Sequence, residues 1–251
     1  MIKCVSLLFV LLFLGNGLAR SAEVQKSFSE IFSASIAAMG GSEEVAKVQS
    51  ITALADCLGP RGKYKTEIYS ALGNRLKFRQ VYPDGNSFVG FINGEHAWMQ
   101  NEKSGSMTRL DHALAAGIRA HEFQMIPLVL PERIKNPTVS GEEDFAGEPC
   151  IKVIALTEYG KPCQIFFHLR YSLLAGMIEP DSRSSSGQTV RVVLNEWRQV
   201  GNLKLPSKVT ATDKSGDWVL DFYDIRLNDV GENLFAVPPS ILSTKESTQQ
   251  N

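Results

Sequence analysis

The sequence predicts a mainly β protein of the α+β type: an antiparallel sheet with a few helices laid on it. Three observations carry that expectation. Residues 86–101 read as a tight hairpin around Asn93-Gly94, the strongest short hairpin signal, because both central residues of a type I′ turn need φ > 0. From residue 50 the hydrophobic period falls to two, with turn residues between the runs. No crossover helix separates the first strands, so an antiparallel meander fits and a βαβ unit does not.

The hairpin is unusual in its two faces. With Asn93-Gly94 as the loop, Phe91 faces His96 and Val89 faces Trp98, while Phe88 meets Met99 and Gly90 meets Ala97. Both faces are largely apolar, so the hairpin needs a cover on each side. Packed helices, a second sheet or a bound apolar ligand would all serve.

Residues 1–21 read as a signal peptide. Lys3 supplies the positive start, Val5 to Leu14 the apolar core, and Ala19-Arg20-Ser21 the small residues of a cleavage site. The apolar core is half the ~20 residues that a bilayer-spanning helix needs. The mature chain is therefore expected to be exported, to the periplasm or cell envelope. Cleavage removes Lys3 and Arg20 and no acid from a chain of formal net charge −1. That balance argues against a nucleic-acid surface. About 230 mature residues suit one domain, expected over 22–242, with a polar disordered tail at 243–251.

Residues 24–39 form an amphipathic helix, with Phe28, Ile31, Phe32, Ile36 and Met39 at helical spacing and Gly40-Gly41 as the stop. Ser42 is placed to cap a second helix running to about Val48. Strands follow: Tyr64, Thr66, Ile68 and Ser70 share one face, then Leu76, Phe78, Gln80 and Tyr82. Asp111 caps a helix over about 112–124, with Leu114, Ile118, His121 and Met125 along one side. Ile126 to Leu130, bracketed by Pro127 and Pro131, reads as an apolar loop. This insertion is placed to cover the sheet, as a packing helix or as a lid. A second strand series resumes near Thr138, with Glu142-Glu143-Asp144 and Gly147-Glu148-Pro149 as turns. Its strands run over about 150–157, 162–169, 172–179, 188–198, 206–213 and 217–227. Leu234-Phe235-Ala236-Val237 before Pro238-Pro239 reads as a short apolar plug.

The chemistry is thin. His121-Glu122 begins a zinc motif that Met125 fails to complete, and the pair reads as a helix-face pair. Gly59-Pro60-Arg61-Gly62-Lys63 lacks the Ser or Thr of a phosphate loop, and no G-x-S-x-G elbow occurs. Cys57, Cys150 and Cys163 survive maturation and allow one bridge; simple pairing sets Cys163 opposite roughly residue 156, so Cys150 is not its evident partner. Buried small hydrophobes describe them best. No catalytic group, metal site or cofactor is expected. The aromatic residues remain: Phe88, Phe91, Trp98, Phe166, Phe167, Trp197, Trp218 and Phe222 sit on strands, as core or as the lining of a cavity.

Five short motifs recur in a set order: Ala38-Met39-Gly40-Gly41, Asn93-Gly94 through Ala97-Trp98, Gly147 through Val153, Gly201-Asn202-Leu203-Lys204-Leu205-Pro206, and Leu234-Phe235-Ala236-Val237-Pro238. In that order the chain resembles exported bacterial proteins of the LolA-like, lipoprotein-carrier superfamily. The resemblance implies a curved antiparallel half-barrel whose concave side is covered by helices over an apolar cavity. It further implies a lipid or acylated protein as partner, with peripheral association with the cell envelope. The cavity-lining residues expected on that basis are Phe78, Val89, Phe91, Trp98, Leu114, Ile118 and Phe167. The rival expectation is a non-catalytic interaction module that fills its own core.

Overall fold

Two antiparallel meanders lie side by side and join through one strand pair. The computed structural model describes residues 26–181 and 187–242; the expected leader and the 243–251 tail lie outside the described residues. Helices α1 (Phe28–Met39) and α2 (Ser42–Ala46) come first. The first meander is β1 (Ser50–Gly59), β2 (Gly62–Ala71), β3 (Arg75–Val81), β4 (Ser87–Asn93), β5 (His96–Gln100) and β6 (Met107–Arg109). A crossover carrying α3 (His112–Arg119) and α4 (Ile126–Arg133) follows. The second meander is β7 (Ile134–Phe145), β8 (Glu148–Thr157), β9 (Pro162–His168), β10 (Leu174–Pro180), β11 (Thr189–Val200), β12 (Leu203–Asp213) and β13 (Gly216–Leu227). A 3₁₀ turn (Glu232–Phe235) and α5 (Pro239–Leu242) end the described chain. Because β1 pairs with β13, all the strands belong to one 13-stranded sheet in the order β6-β5-β4-β3-β2-β1-β13-β12-β11-β10-β9-β8-β7. Every pairing is antiparallel and the sheet does not close. It is the expected half-barrel, and the crossover runs between its two edge strands, β6 and β7.

Local chemistry fixes the helix ends. The Ser27 hydroxyl accepts from the Glu30 amide at 3.3 Å, and the Glu30 carboxylate accepts from the Ser27 amide at 2.7 Å. This reciprocal box satisfies two of the free N–H groups that open α1. At the other end Gly40 has φ +144°, and a Cβ there would stand 2.4 Å from the Asn202 carbonyl oxygen. Only glycine lets the helix end meet the β11–β12 turn so closely. Asn202 also donates to Glu44 at 3.0 Å. Two of the sequence motifs, far apart in the chain, thus meet in space.

Four details differ from the sequence reading. The hairpin loop is Gly94-Glu95, because Asn93 pairs with His96. Phe91 therefore faces Trp98, and Ile92, not Gly90, faces Ala97. Gly94 alone needs positive φ (+60°), which freed Asn93 to use its side chain elsewhere. Ser42 lies inside α2, whose cap is Gly41. The predicted helix over 112–124 stops at Arg119, and the expected loop at Ile126–Leu130 is α4. Pro127 is tolerated because it lies in the first turn, and the chain leaves helical geometry at Val129 (φ −114°, ψ 15°) before Pro131. Glu142, Glu143 and Asp144 lie within β7, where an edge strand with one solvated side tolerates acids that read as a turn.

The core lies on the concave side. One continuous apolar cluster joins Ile31 and Met39 of α1, Ile118, Phe123 and Leu128 of the crossover, and Ile68, Phe78, Phe167 and Phe222 of the sheet. Cys57, Cys150 and Cys163 are buried free thiols. Cys163 belongs to this core, and Cys150 to a small cluster with Phe145 and Phe166. Cys163 lies opposite Ala155, one residue from the expected register.

Candidate functional site

The crossover, residues 110–133, is the most distinctive surface that faces the sheet. It starts tied to β5 by the Leu110 amide, which donates to the Ala97 carbonyl at 2.8 Å. Asp111 caps α3 by accepting from the Leu114 amide at 2.9 Å. Ile118 then packs on Gly90, where a Cβ would come within 2.5 Å of the Ile118 side chain. The His121 ring lies 3.9 Å from that of Phe78, centroid to centroid. Farther along, Phe123 meets Phe222 of β13 edge-on at 6.4 Å, and the Gln124 amide donates to the Pro206 carbonyl of β12 at 3.3 Å. The segment thus spans the concave side from one meander to the other before entering β7.

Where the crossover meets the β8–β9 turn lies a buried ion network. Glu122, with a side chain 1% exposed, accepts from Arg119 at 3.0 Å and from Arg133 at 3.1 Å. Glu158, in the β8–β9 turn, lies 3.4 Å from Arg119 and 3.9 Å from Arg133. Burial pushes the Glu122 carboxyl upward in pKa, against the pull of the two guanidiniums. Arg119 Nε, Arg133 Nε, Glu122 Oε1 and Gln124 Oε1 are buried without a hydrogen-bond partner within the protein. Nearby, on β10, burial and the Glu158 carboxylate push Glu179 up to about 7. The sequence reading had Glu122 as a helix-face residue beside His121. The missed signal was two opposite charges three residues apart, Arg119 and Glu122, inside an otherwise apolar stretch. Among the described residues no cluster of His, Cys, Asp or Glu is arranged to hold a metal ion.

The seven residues expected to line a cavity fall in three places. Phe78, Ile118 and Phe167 share the concave core, at 2%, 4% and 1% exposure. Leu114 is half exposed on α3. Val89, Phe91 and Trp98 lie on the opposite face of the sheet, in a separate cluster with Ile241 and Val237. The Phe91 and Trp98 rings stack there at 4.9 Å. This outer face is covered by the chain's own end. Asn93 donates to the Phe235 carbonyl at 2.9 Å, and the Arg75 guanidinium lies 5.7 Å from the centre of the Phe235 ring. The expected plug is real, and it closes the outside of the sheet.

A hollow wide enough for an acyl chain would leave accessible surface on its lining, and Phe78, Ile118 and Phe167 have almost none. The concave side is packed shut by the aromatic and aliphatic side chains of α1 and the crossover. At its margin a pocket of ≈ 180 Å³ opens between α2 and α4, lined by Val45, Val48, Leu72, Met125, Leu128 and Val129 among others.

The same fold recurs in solved structures. A LolA superfamily protein from Nitrosomonas europaea superposes with a TM-score of 0.59 at 12% identity, over 85% of this chain and 99% of that one. A domain named for outer membrane lipoprotein sorting, from Vibrio parahaemolyticus, gives 0.55 at 13% identity, over 82% of this chain and 94% of that one. A DUF1329 family protein from Desulfovibrio piger gives 0.59 at 12% identity, over 84% and 98%. No protein-family model matches the chain, and no curated protein matches it. The chain therefore has the LolA-like fold.

Proposed function

We propose, starting from a LolA-like fold, that the chain is an exported, non-catalytic envelope protein that takes a lipid or a lipidated partner between its sheet and its crossover. The described conformation is then the closed one. A single observation carries the reading: the crossover lies over the concave face as a distinct segment. It is built of two short helices broken at Val129, and its underside is apolar. Lifting it would present Phe78, Phe167 and Phe222 of the sheet as a greasy floor, with Ile118 and Phe123 on the underside of the lifted cover. Each lipid methylene buried there would gain ~0.8 kcal/mol without any polar anchor. The domain named for lipoprotein sorting in Vibrio parahaemolyticus supports the reading by its shared fold alone.

A second reading, an interaction module with a self-filled core, is favoured by the tight packing of the concave side. Native purification of the mature protein from envelope fractions, followed by lipid mass spectrometry, separates the two. A stoichiometric co-purifying lipid, or saturable uptake of an apolar fluorescent probe, supports the carrier. Absence of both, with the fold intact, leaves the self-filled module.

A further inference from the structure

We infer that Arg119, Glu122, Arg133 and Glu158 form a latch that holds the crossover shut, and that its release at Glu158 is the first step in opening the concave side. The inference rests on the carrier reading only for its purpose; the latch itself is a property of the closed chain.

The geometry singles out these residues. Arg119 ends α3, Glu122 lies in the link, and Arg133 ends α4, so three members belong to the crossover. Glu158 is the member contributed from the turn between β8 and β9, where its amide donates to the Arg133 carbonyl at 2.9 Å. The ion pairs inside the crossover are the short ones, at 3.0 and 3.1 Å, and those to Glu158 are the long ones, at 3.4 and 3.9 Å. Glu158 is also the most exposed member, its side chain 24% accessible against 1% for Glu122. The network therefore travels with the crossover and parts most readily where it meets the turn.

Energetics point the same way. A buried ion network recovers its desolvation cost only when every lone pair and N–H is matched, and apolar residues of similar volume often do better. Here Glu122 Oε1 and Arg133 Nε find no hydrogen-bond partner within the protein, and Arg119 Nε meets Glu158 only as a 3.4 Å ion pair. An arrangement that gains little over an apolar substitute is poor cement but a serviceable catch, because opening returns its charges to water instead of leaving them buried and unpaired. Around the network, Glu158 raises the pKa of Glu179, Tyr159 lies beside Arg119, and the Lys135 ammonium is committed to the Glu158 carbonyl at 2.7 Å.

Amide hydrogen exchange on the full mature chain tests the latch without any ligand. In Glu158→Gln, the amides bonded within the crossover, those of Ala120, Met125 and Val129 among them, should exchange roughly tenfold faster, with β1 and β13 unchanged. The combined variant Arg119→Met, Glu122→Leu, Arg133→Met should slow the same amides below wild type while the melting temperature holds or rises. Equal acceleration of crossover and sheet amides, or none in either variant, overturns the latch. Probe uptake is read separately: faster crossover exchange with no uptake of an apolar dye leaves the latch standing and removes the carrier, and uptake with unchanged exchange does the reverse.

Discussion

The hairpin β4–β5 is covered on both faces by its own chain, and the two covers are built on different principles. Outside, Phe91 and Trp98 stack at 4.9 Å under Val237 and Ile241, and polar groups of the strap find partners, as in the 2.9 Å bond from Asn93 to Phe235. Inside, Ile118 presses on Gly90, but the crossover that carries it also has a kink, two prolines and a network with unmatched atoms. The outer cover completes the fold. The inner cover is the one that the proposed carrier role would require to lift. A sheet with two greasy faces thus needs no foreign cover, and its two covers differ in how completely their polar groups are satisfied.

Removing the anchor of the outer cover should do most damage. Trp98→Ala deletes a side chain 1% exposed, and is expected to cost about 3–5 kcal/mol of global stability in urea unfolding. Crossover exchange should change only in proportion to that global loss. Selective opening of the crossover in this variant would show that the two covers are coupled, and would break the contrast.

The inner side should be the pH-sensitive one. Glu179 titrates at about 7 in the folded chain against an ordinary value of 4.5. A carboxyl raised on folding holds its proton more tightly in the native state, so its stabilising effect is complete below 4.5 and lost as pH climbs through 7. Stability should therefore fall between pH 4.5 and 7, by at most about 3 kcal/mol at 1.36 kcal/mol per unit. Glu179→Gln should flatten that slope in thermal melts across the range. An unchanged slope would mean that another group carries the linkage.

Much of the fold was legible because it is written in local chemistry. The period-two runs, the glycine stop at Gly40 and the Asp111 cap all appear where the sequence puts them. The candidate site was not. Val89, Phe91 and Trp98 share a face in either register, because moving the loop by one residue shifts the partners by two; which face becomes the concave one is set by where α1 and the crossover dock, and that is not written in the hairpin. The ion network is assembled from residues 119 to 158 by the docking of a crossover onto a distant turn, and spacing along the chain does not encode that. The motifs, by contrast, were each short and unspecific, yet two pairs of them turn out to be contacts: Gly40 with Asn202, and Asn93 with Phe235.

That last contact gives the smallest and sharpest prediction. Asn93 sits at the end of β4, half-buried, with its amide committed to the strap. If its role were the turn, Asn93→Gly would be tolerated and Asn93→Ala would disturb the hairpin register. If its role is the tether, both variants lose the same hydrogen bond and should cost about 1 kcal/mol each. The loss should be felt in the strap: amides near Ile241, whose own N–H donates to the Pro238 carbonyl at 2.9 Å, should exchange faster while β4–β5 amides hold. A glycine variant as stable as wild type would return Asn93 to the turn and leave the outer cover held by apolar packing alone.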